Sequence, residues 1–193
     1  MDAIPFFQSV HFTPAARTEV KWIVIHCMEG AEKPSKAIDC ARWMAGLNPA
    51  YPPPKSSAHY FCDSEHIAQG VLVTDVAWHA PGANRFGIGI EHAGKASQTR
   101  AEWLDEFSTK TLKRSAELTA SLCATWGIPI NYIGPTELRA GIKGITTHFD
   151  CTKAWPEKGG THHDPGTGWP MDWYLHEVSL VASAKERVEL PNV

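Results

Sequence analysis

The 193-residue chain contains no apolar run near the roughly 20 residues of a membrane-spanning helix. It has no basic excess: 18 Lys and Arg stand against 21 Asp and Glu, a net charge of −3. Nothing in that balance carries a phosphate backbone, so no nucleic-acid partner is expected. The N-terminus, Met1 to Phe7, lacks a basic n-region and a long apolar h-region. No signal peptide is expected, and the chain is expected to be made in the cytoplasm and to act outside it only after release. No CxxC pair occurs, and the five cysteines at 27, 40, 62, 123 and 151 fit no zinc ribbon. Reduced thiols in the core are the expectation. There is no internal repeat and no low-complexity tract.

What is present is ordinary for a globular chain, 43% hydrophobic and 20% charged, which excludes global disorder, a coiled coil and a collagen-like chain. At roughly 150 residues per domain the length predicts a single domain over 1–193. A monomer is the default. Histidine and tryptophan are the enriched types, at ten and eight residues.

Residues 21–27, Lys-Trp-Ile-Val-Ile-His-Cys, form a short β-branched apolar run that predicts a buried strand ending in His26. Ser35 can N-cap a helix reaching about Leu47, with Ile38, Ala41 and Met44 on one face. The prolines at 49, 52, 53 and 54 impose a loop. Ala58–Cys62, a turn at Asp63–His66 and Ile67–Val73 predict a hairpin. Residues 86–92 predict a strand thinned by glycine, a pattern that marks close backbone approach. Thr99 and Glu102 have capping-box spacing and predict one helix to about Trp126, closed by Gly127 and Pro129. A loop-rich stretch with at most a short helical turn follows to Gly144. Gly144–Phe149 is a strand candidate, 151–169 a loop, and Met171–Ala182 a final helix. The order predicts an α/β fold with a mixed central sheet flanked by helices.

A histidine directly after a buried strand stands at the sheet's end, where α/β sites lie; a structural role is the competing explanation for His26. His148 follows another strand candidate, and Asp164 comes sixteen residues later in His162-His163-Asp164-Pro165-Gly166. Two imidazoles and a carboxylate suit Zn²⁺ at a catalytic site with one open position, and His26, His148 and Asp164 would make such a set. From spacing alone, an Asx turn before Pro165-Gly166 explains Asp164 as well. Glu91 ends an otherwise apolar strand, where burial would raise its pKa toward general-base range. Pairing with Arg85 or Lys95 is the alternative. Trp78 is a candidate apolar wall and His79 a candidate groove residue, while His59 reads as a packed strand histidine. His92 and His163 flank the set without a role, and His11, His66 and His176 read as surface residues. Trp22, Trp43, Trp103, Trp126 and Trp173 sit at core spacings.

Five stretches in order resemble the zinc-dependent N-acetylmuramoyl-L-alanine amidases of the type 2, peptidoglycan-recognition-protein-like family. They are Ile23-Val24-Ile25-His26; Ser57-Ala58-His59-Tyr60; Ala77-Trp78-His79-Ala80 with Gly87-Ile88-Gly89-Ile90-Glu91; Thr147-His148-Phe149-Asp150; and His163-Asp164-Pro165-Gly166. The motif-bearing core covers about 20–180. The resemblance implies that fold, with Zn²⁺ on His26, His148 and Asp164 and with Glu91 polarising the attacking water. It implies hydrolysis of the amide joining muramic acid to L-alanine in bacterial peptidoglycan. Three positions depart from the pattern. His162 stands where the family often has lysine, and a histidine there can stabilise the oxyanion by a hydrogen bond. Ala58 stands where some phage members carry a catalytic tyrosine, which favours the Glu91 route. Thr147 replaces a glycine.

The match looks closest to amidase domains of phage endolysins, especially those of actinobacterial phages. A short tail, Pro191-Asn192-Val193, predicts no separate wall-binding module in this chain. A cytoplasmic muropeptide-recycling amidase would share every catalytic residue. A non-catalytic peptidoglycan sensor on the same fold is a third possibility, opposed by the three competent ligand positions.

Overall fold

The computed structural model describes residues 3–189, with side chains through 184. Met1, Asp2 and the Pro191-Asn192-Val193 tail lie outside the described residues. In chain order the elements are β1 (Phe12–Thr13), β2 (Trp22–Cys27), α1 (Lys36–Met44), β3 (Tyr60–Cys62), β4 (Ile67–Gln69), β5 (Val76–Ala77) and β6 (Gly87–His92). They continue with α2 (Arg100–Trp103), α3 (Glu106–Trp126), α4 (Pro135–Arg139), β7 (Gly144–Thr147), α5 (His148–Ala154), a short 3₁₀ turn (Pro156–Lys158) and α6 (Met171–Glu189).

The main sheet runs β4-β3-β6-β2-β7. β3, β6, β2 and β7 are mutually parallel, and only the edge strand β4 is antiparallel. β1 and β5 form a separate two-stranded ribbon. The predicted mixed α/β sheet is the observed one. All six residues of β2 are buried, as expected of a central parallel strand covered on both faces. Ile23 and Ile25 pack with Ile88, Ile90 and Ile145 against the α3 and α6 side, including Leu112, Tyr174 and Val178. Trp22 and Val24 face the other way, toward Ala80, Ala83, Cys151 and Ala154. Strand alternation therefore sends His26 to the second face. All five cysteines are free and buried, as expected.

Several local expectations give way to longer-range ones. Ser35 does not cap α1 with its side chain: its hydroxyl donates to Asp39 Oδ2 at 3.0 Å. The buried Asp63 carboxylate, from the hairpin turn, accepts the Ala37 N–H instead at 2.8 Å. α1 stops at Met44, short of Leu47, and β4 stops at Gln69, short of Val73. The expected single helix from Thr99 is two. The Thr99–Glu102 capping box is present, but a second cap, Asp105 accepting from Ser108 N–H, starts α3. Gly127 ends α3 with φ 59°, the left-handed residue that favours glycine. The strand expected over Gly144–Phe149 ends at Thr147, and part of the loop expected over 151–169 is helix α5 and the 3₁₀ turn.

Candidate metal centre

The carboxyl ends of β2, β6 and β7 lie side by side, the crevice where open parallel sheets bind ligands. β2 ends on His26 and Cys27, and in register β6 ends on Glu91 and His92, with His26 opposite Glu91. β7 ends at Thr147, and the chain turns directly into α5. Thr147 is the N-cap of that helix: its hydroxyl oxygen accepts from Asp150 N–H at 3.1 Å, while the hydroxyl proton goes to the Asp150 carboxylate. The departure from glycine at Thr147 thus has a local purpose, since the cap fixes His148 as the first helical residue.

The structure brings the three predicted ligands together. One ligand atom from each of His26, His148 and Asp164 lies within 4.8 Å of the others, and all three residues are buried. Asp164 Oδ2 is 3.2 Å from His26 Nδ1, and Oδ1 is 3.0 Å from His148 Nδ1. The His26 and His148 rings are 4.6 Å apart between centroids. The Asp164 carboxylate is thus aimed into the cluster. Its backbone is held there by Phe149 N–H donating to the Asp164 carbonyl at 3.0 Å. Burial pushes the His26 pKa down to about 4, with His148 adding to the effect and Asp164 opposing it. Burial alone would raise the Asp164 carboxyl, but the His148 and His26 rings donate to it from Nδ1, outweigh burial and hold the group well below the carboxylate range; an ion at that point would take the place of those two protons. A neutral His26 and an ionised Asp164, with His148 Nδ1 turned to the same point, are the donor chemistry a zinc-type cation takes. The residues present therefore fit such an ion.

Glu91 is half-buried, but its Oε2 is enclosed and has no hydrogen-bond partner among the described residues. Burial, reinforced by Asp164 and Glu29, raises its pKa well above the usual carboxylate value, against a smaller opposite effect of Lys36. The alternative of pairing with Arg85 is not what the geometry shows: that guanidinium lies 5.6 Å over the Phe86 ring. Lys95 forms no ion pair with Glu91 among the described residues.

His162 stacks on His148, with centroids 4.3 Å apart and planes at 17°. Its Nδ1 is 3.8 Å from Asp164 Oδ1, and its side chain is 60% exposed at the mouth of the site. His163 is exposed beside it. The site opens into a cleft of about 540 Å³ whose walls include Trp43, Met44, Lys55, Trp78, His79 and Asn84. Trp78 is 40% exposed there. Its indole stacks on His11, which is half-buried against it, and its N–H donates to Thr13 Oγ1 at 2.9 Å. Trp43, expected in the core, is half-buried on the cleft wall, with its indole N–H bonded to Pro52 O at 2.7 Å.

Sequence reasoning missed two supporting histidine arrangements. His79 lines the cleft but is only 7% exposed, and its Nδ1 is 3.0 Å from His26 Nε2. His92 is fully buried, with Nδ1 2.9 Å from the His26 carbonyl oxygen and Nε2 2.7 Å from Ser115 Oγ. The Trp78-His79-Ala80 stretch signals His79 as a groove residue, which it is, but nothing local signals its contact with His26; His92 is signalled only by its place beside Glu91. His59 is the packed histidine it was expected to be: it is fully buried, and its Nδ1 accepts from Gly89 N–H at 3.1 Å.

The family model described as N-acetylmuramoyl-L-alanine amidase, Amidase_2, matches residues 16–167. Over 115 residues the chain is 32% identical to N-acetylmuramoyl-L-alanine amidase A of Achromobacter lyticus, covering 58% of this chain and 56% of that protein. The chain thus spans about half the length of the curated relative it matches. Among solved structures it is similar in fold to the Staphylococcus aureus hydrolase AmiA, with a TM-score of 0.65 and 16% identity over 95% of this chain and 86% of that one. It is likewise similar to AmpD, with a TM-score of 0.63 and 18% identity over 92% and 95% of the two chains. With the model match extending over most of its length, the chain belongs to the Amidase_2 family of N-acetylmuramoyl-L-alanine amidases.

Proposed function

We propose that the chain is one catalytic domain that hydrolyses the amide between N-acetylmuramic acid and L-alanine in peptidoglycan, with Zn²⁺ held by His26, His148 and Asp164. The observation that carries this reading is the convergence of those three buried side chains beside a buried, unpartnered Glu91 oxygen at the floor of one cleft. When bound, the ion supplies Lewis acidity toward the scissile carbonyl and the attacking water.

The chain's own residues do the rest. Glu91, its pKa raised by burial, takes a proton from the attacking water at its carboxylate and returns it to the departing amine of L-alanine. The C–N bond breaks, leaving a lactyl carboxylic acid and a free amino terminus. His162 donates a hydrogen bond to the oxyanion that develops on the carbonyl oxygen. Trp78 presents an apolar surface at the cleft edge to a sugar ring or peptide methyl groups.

The likeness of the motif-bearing stretches to lysin amidase domains supports a wall-degrading role, as a phage endolysin or its catalytic domain. The test is digestion of purified peptidoglycan with and without chelator, followed by mass spectrometry of the soluble products. Stem peptides beginning with L-alanine, released only when zinc is present, are the expected result. A zinc-loaded protein that leaves intact wall uncut but cleaves soluble 1,6-anhydromuropeptides would move the chain to a recycling role. Cleavage of neither substrate would remove the enzymatic reading.

A further inference from the structure

The metal-facing atom of His26 is Nδ1, the nitrogen turned to Asp164. For Nδ1 to offer a lone pair to a cation, the ring proton must sit on Nε2. That Nε2 is 3.0 Å from His79 Nδ1, with the two rings edge-on at 83°. Metal-ligating histidines usually give their second N–H to a carboxylate or a carbonyl. Here the only acceptor at that distance among the described residues is a second imidazole.

The surrounding backbone is shaped to hold that imidazole. β6 carries glycine at the two positions that face it. A Cβ at Gly89 would lie 2.6 Å from His79 Cγ and 2.8 Å from His79 Nδ1, and one at Gly87 would lie 3.2 Å from His79 Cε1. The His79 ring therefore lies on the bare backbone of β6, in a slot that any side chain at Gly89 would fill. Its main chain is fixed independently, since Asn84 Oδ1 accepts from His79 N–H at 2.9 Å and from Ala80 N–H at 2.6 Å. The glycines in Gly87-Ile88-Gly89-Ile90-Glu91 and the histidine in Trp78-His79-Ala80 thus form one device, distant in sequence and joined in space.

We propose that His79 is a positioning residue for the metal centre: seated in the Gly87–Gly89 slot, its Nδ1 accepts the His26 Nε2–H and thereby fixes the ring orientation and tautomer that turn His26 Nδ1 to the ion. The inference rests on the metal-site reading above, and the experiment separates the two. Zn²⁺ affinity is measured by competition with a chromophoric chelator for the wild type and for His26→Ala, His79→Asn, His79→Leu and Gly89→Ala.

A wild type that binds no zinc more tightly than His26→Ala overturns the metal site itself. With the site intact, His79→Leu, which fills the slot without an acceptor, is expected to lose about 10–100-fold in affinity. His79→Asn, whose side-chain oxygen reaches the place of Nδ1, is expected to recover most of it. Gly89→Ala, which keeps all the histidines but displaces the ring, is expected to lose affinity as His79→Leu does. In zinc-loaded wild type, long-range ¹H–¹⁵N spectra are expected to show His79 protonated on Nε2. Unchanged affinity in His79→Leu, or a His79 protonated on Nδ1, overturns the proposal. The spectra need no variant, so they decide it even if a substitution fails to fold.

Discussion

His92 donates from Nδ1 to the backbone carbonyl of His26, 2.9 Å away, and so ties the end of β6 to the end of β2 from within the core. A carbonyl only accepts, so the His92 proton is on Nδ1 and its Nε2 is an acceptor in the neutral ring. Ser115 Oγ, 2.7 Å away, must then donate to it. Tyr174 OH gives its proton to Ser115, and Thr119 gives its own to Tyr174, each across 2.8 Å. All of these residues are fully buried, and every proton in the chain has one direction. The network joins α3 and α6 to the strand that carries His26. Ser115→Ala leaves the buried His92 Nε2 without a donor and is expected to lower stability by about 1–3 kcal/mol. Urea unfolding measures it, and a variant as stable as the wild type would contradict the assignment.

Acid should unfold the protein through its buried histidines. Burial, mainly, pushes His59 down from 6.5 to about 3 and His92 down to about 4, with Arg17 adding to the effect at His59. A histidine with a depressed folded pKa contributes stability that is fully present above the unfolded value, near 6.5, and is lost as pH falls toward the folded value. Between about pH 6.5 and 4 each of the two then contributes a slope of up to about 1.4 kcal/mol per pH unit, with stability falling on acidification. The measurement is unfolding free energy against pH in the presence of chelator, which removes any contribution from bound metal. A flat profile over that window would refute the buried, neutral state of these rings.

How much of this was legible beforehand follows from the range of each interaction. β2, its terminal His26 and the buried carboxylate of Glu91 were readable because an apolar run with one polar end is a local pattern. The Thr99–Glu102 box was readable for the same reason, being three residues wide. Helix α5 was not, because His148–Ala154 is two turns long and shows no clear apolar period, although Thr147 and Asp150 carried its cap signal. The α1 cap was not readable either, because its acceptor, Asp63, lies in the hairpin turn. The His79–Gly89 and His92–Ser115 pairings are partly of that second kind: glycine in β6 signals a close approach and Trp78-His79-Ala80 a groove residue, but which side chain meets which is settled only across the fold.

The loop that carries Asp164 is anchored by two glycines. Gly166 has φ +89°, and a Cβ there would overlap the Ala96 carbonyl, while one at Gly168 would overlap the Gln98 carbonyl. The chain after Asp164 thus lies directly on the segment following β6. Gly166→Ala meets both the backbone strain and the overlap, so the loop must lift and take the carboxylate with it. Loss of metal affinity together with a lower melting temperature is expected, by calorimetry with and without zinc. Normal zinc affinity in this variant would show that the loop does not depend on the contact.

His162 rests on the His148 ring with most of its side chain in solvent, and the cluster of convergent ligand atoms does not include it. Removing it should spare the metal. His162→Ala is expected to bind zinc as the wild type does and to lose about 10²–10³-fold in kcat, the cost of one oxyanion donor. His162→Lys, which restores a donor with a fixed charge, is expected to recover much of that loss. Zinc release from His162→Ala would instead mark the residue as part of the metal shell.

Substitution of Glu91 is expected to separate chemistry from metal binding. The residue stands opposite His26 in the parallel register of β2 and β6, but the cluster of convergent ligand atoms does not include it. Its enclosed Oε2 has no partner to lose, so Glu91→Gln removes the basic oxygen without breaking a hydrogen bond and replaces a buried carboxyl by a neutral group of the same shape. Stability and zinc stoichiometry should therefore be retained or improved while kcat falls by about 10²–10⁴-fold, the usual loss when a general base is removed. His26→Ala, His148→Ala and Asp164→Ala, measured in parallel, should lose zinc and turnover together. If Glu91→Gln turns over at a near-normal rate with its zinc in place, the proton acceptor is another group, and the cleft residues nearest the ligands become the next to substitute.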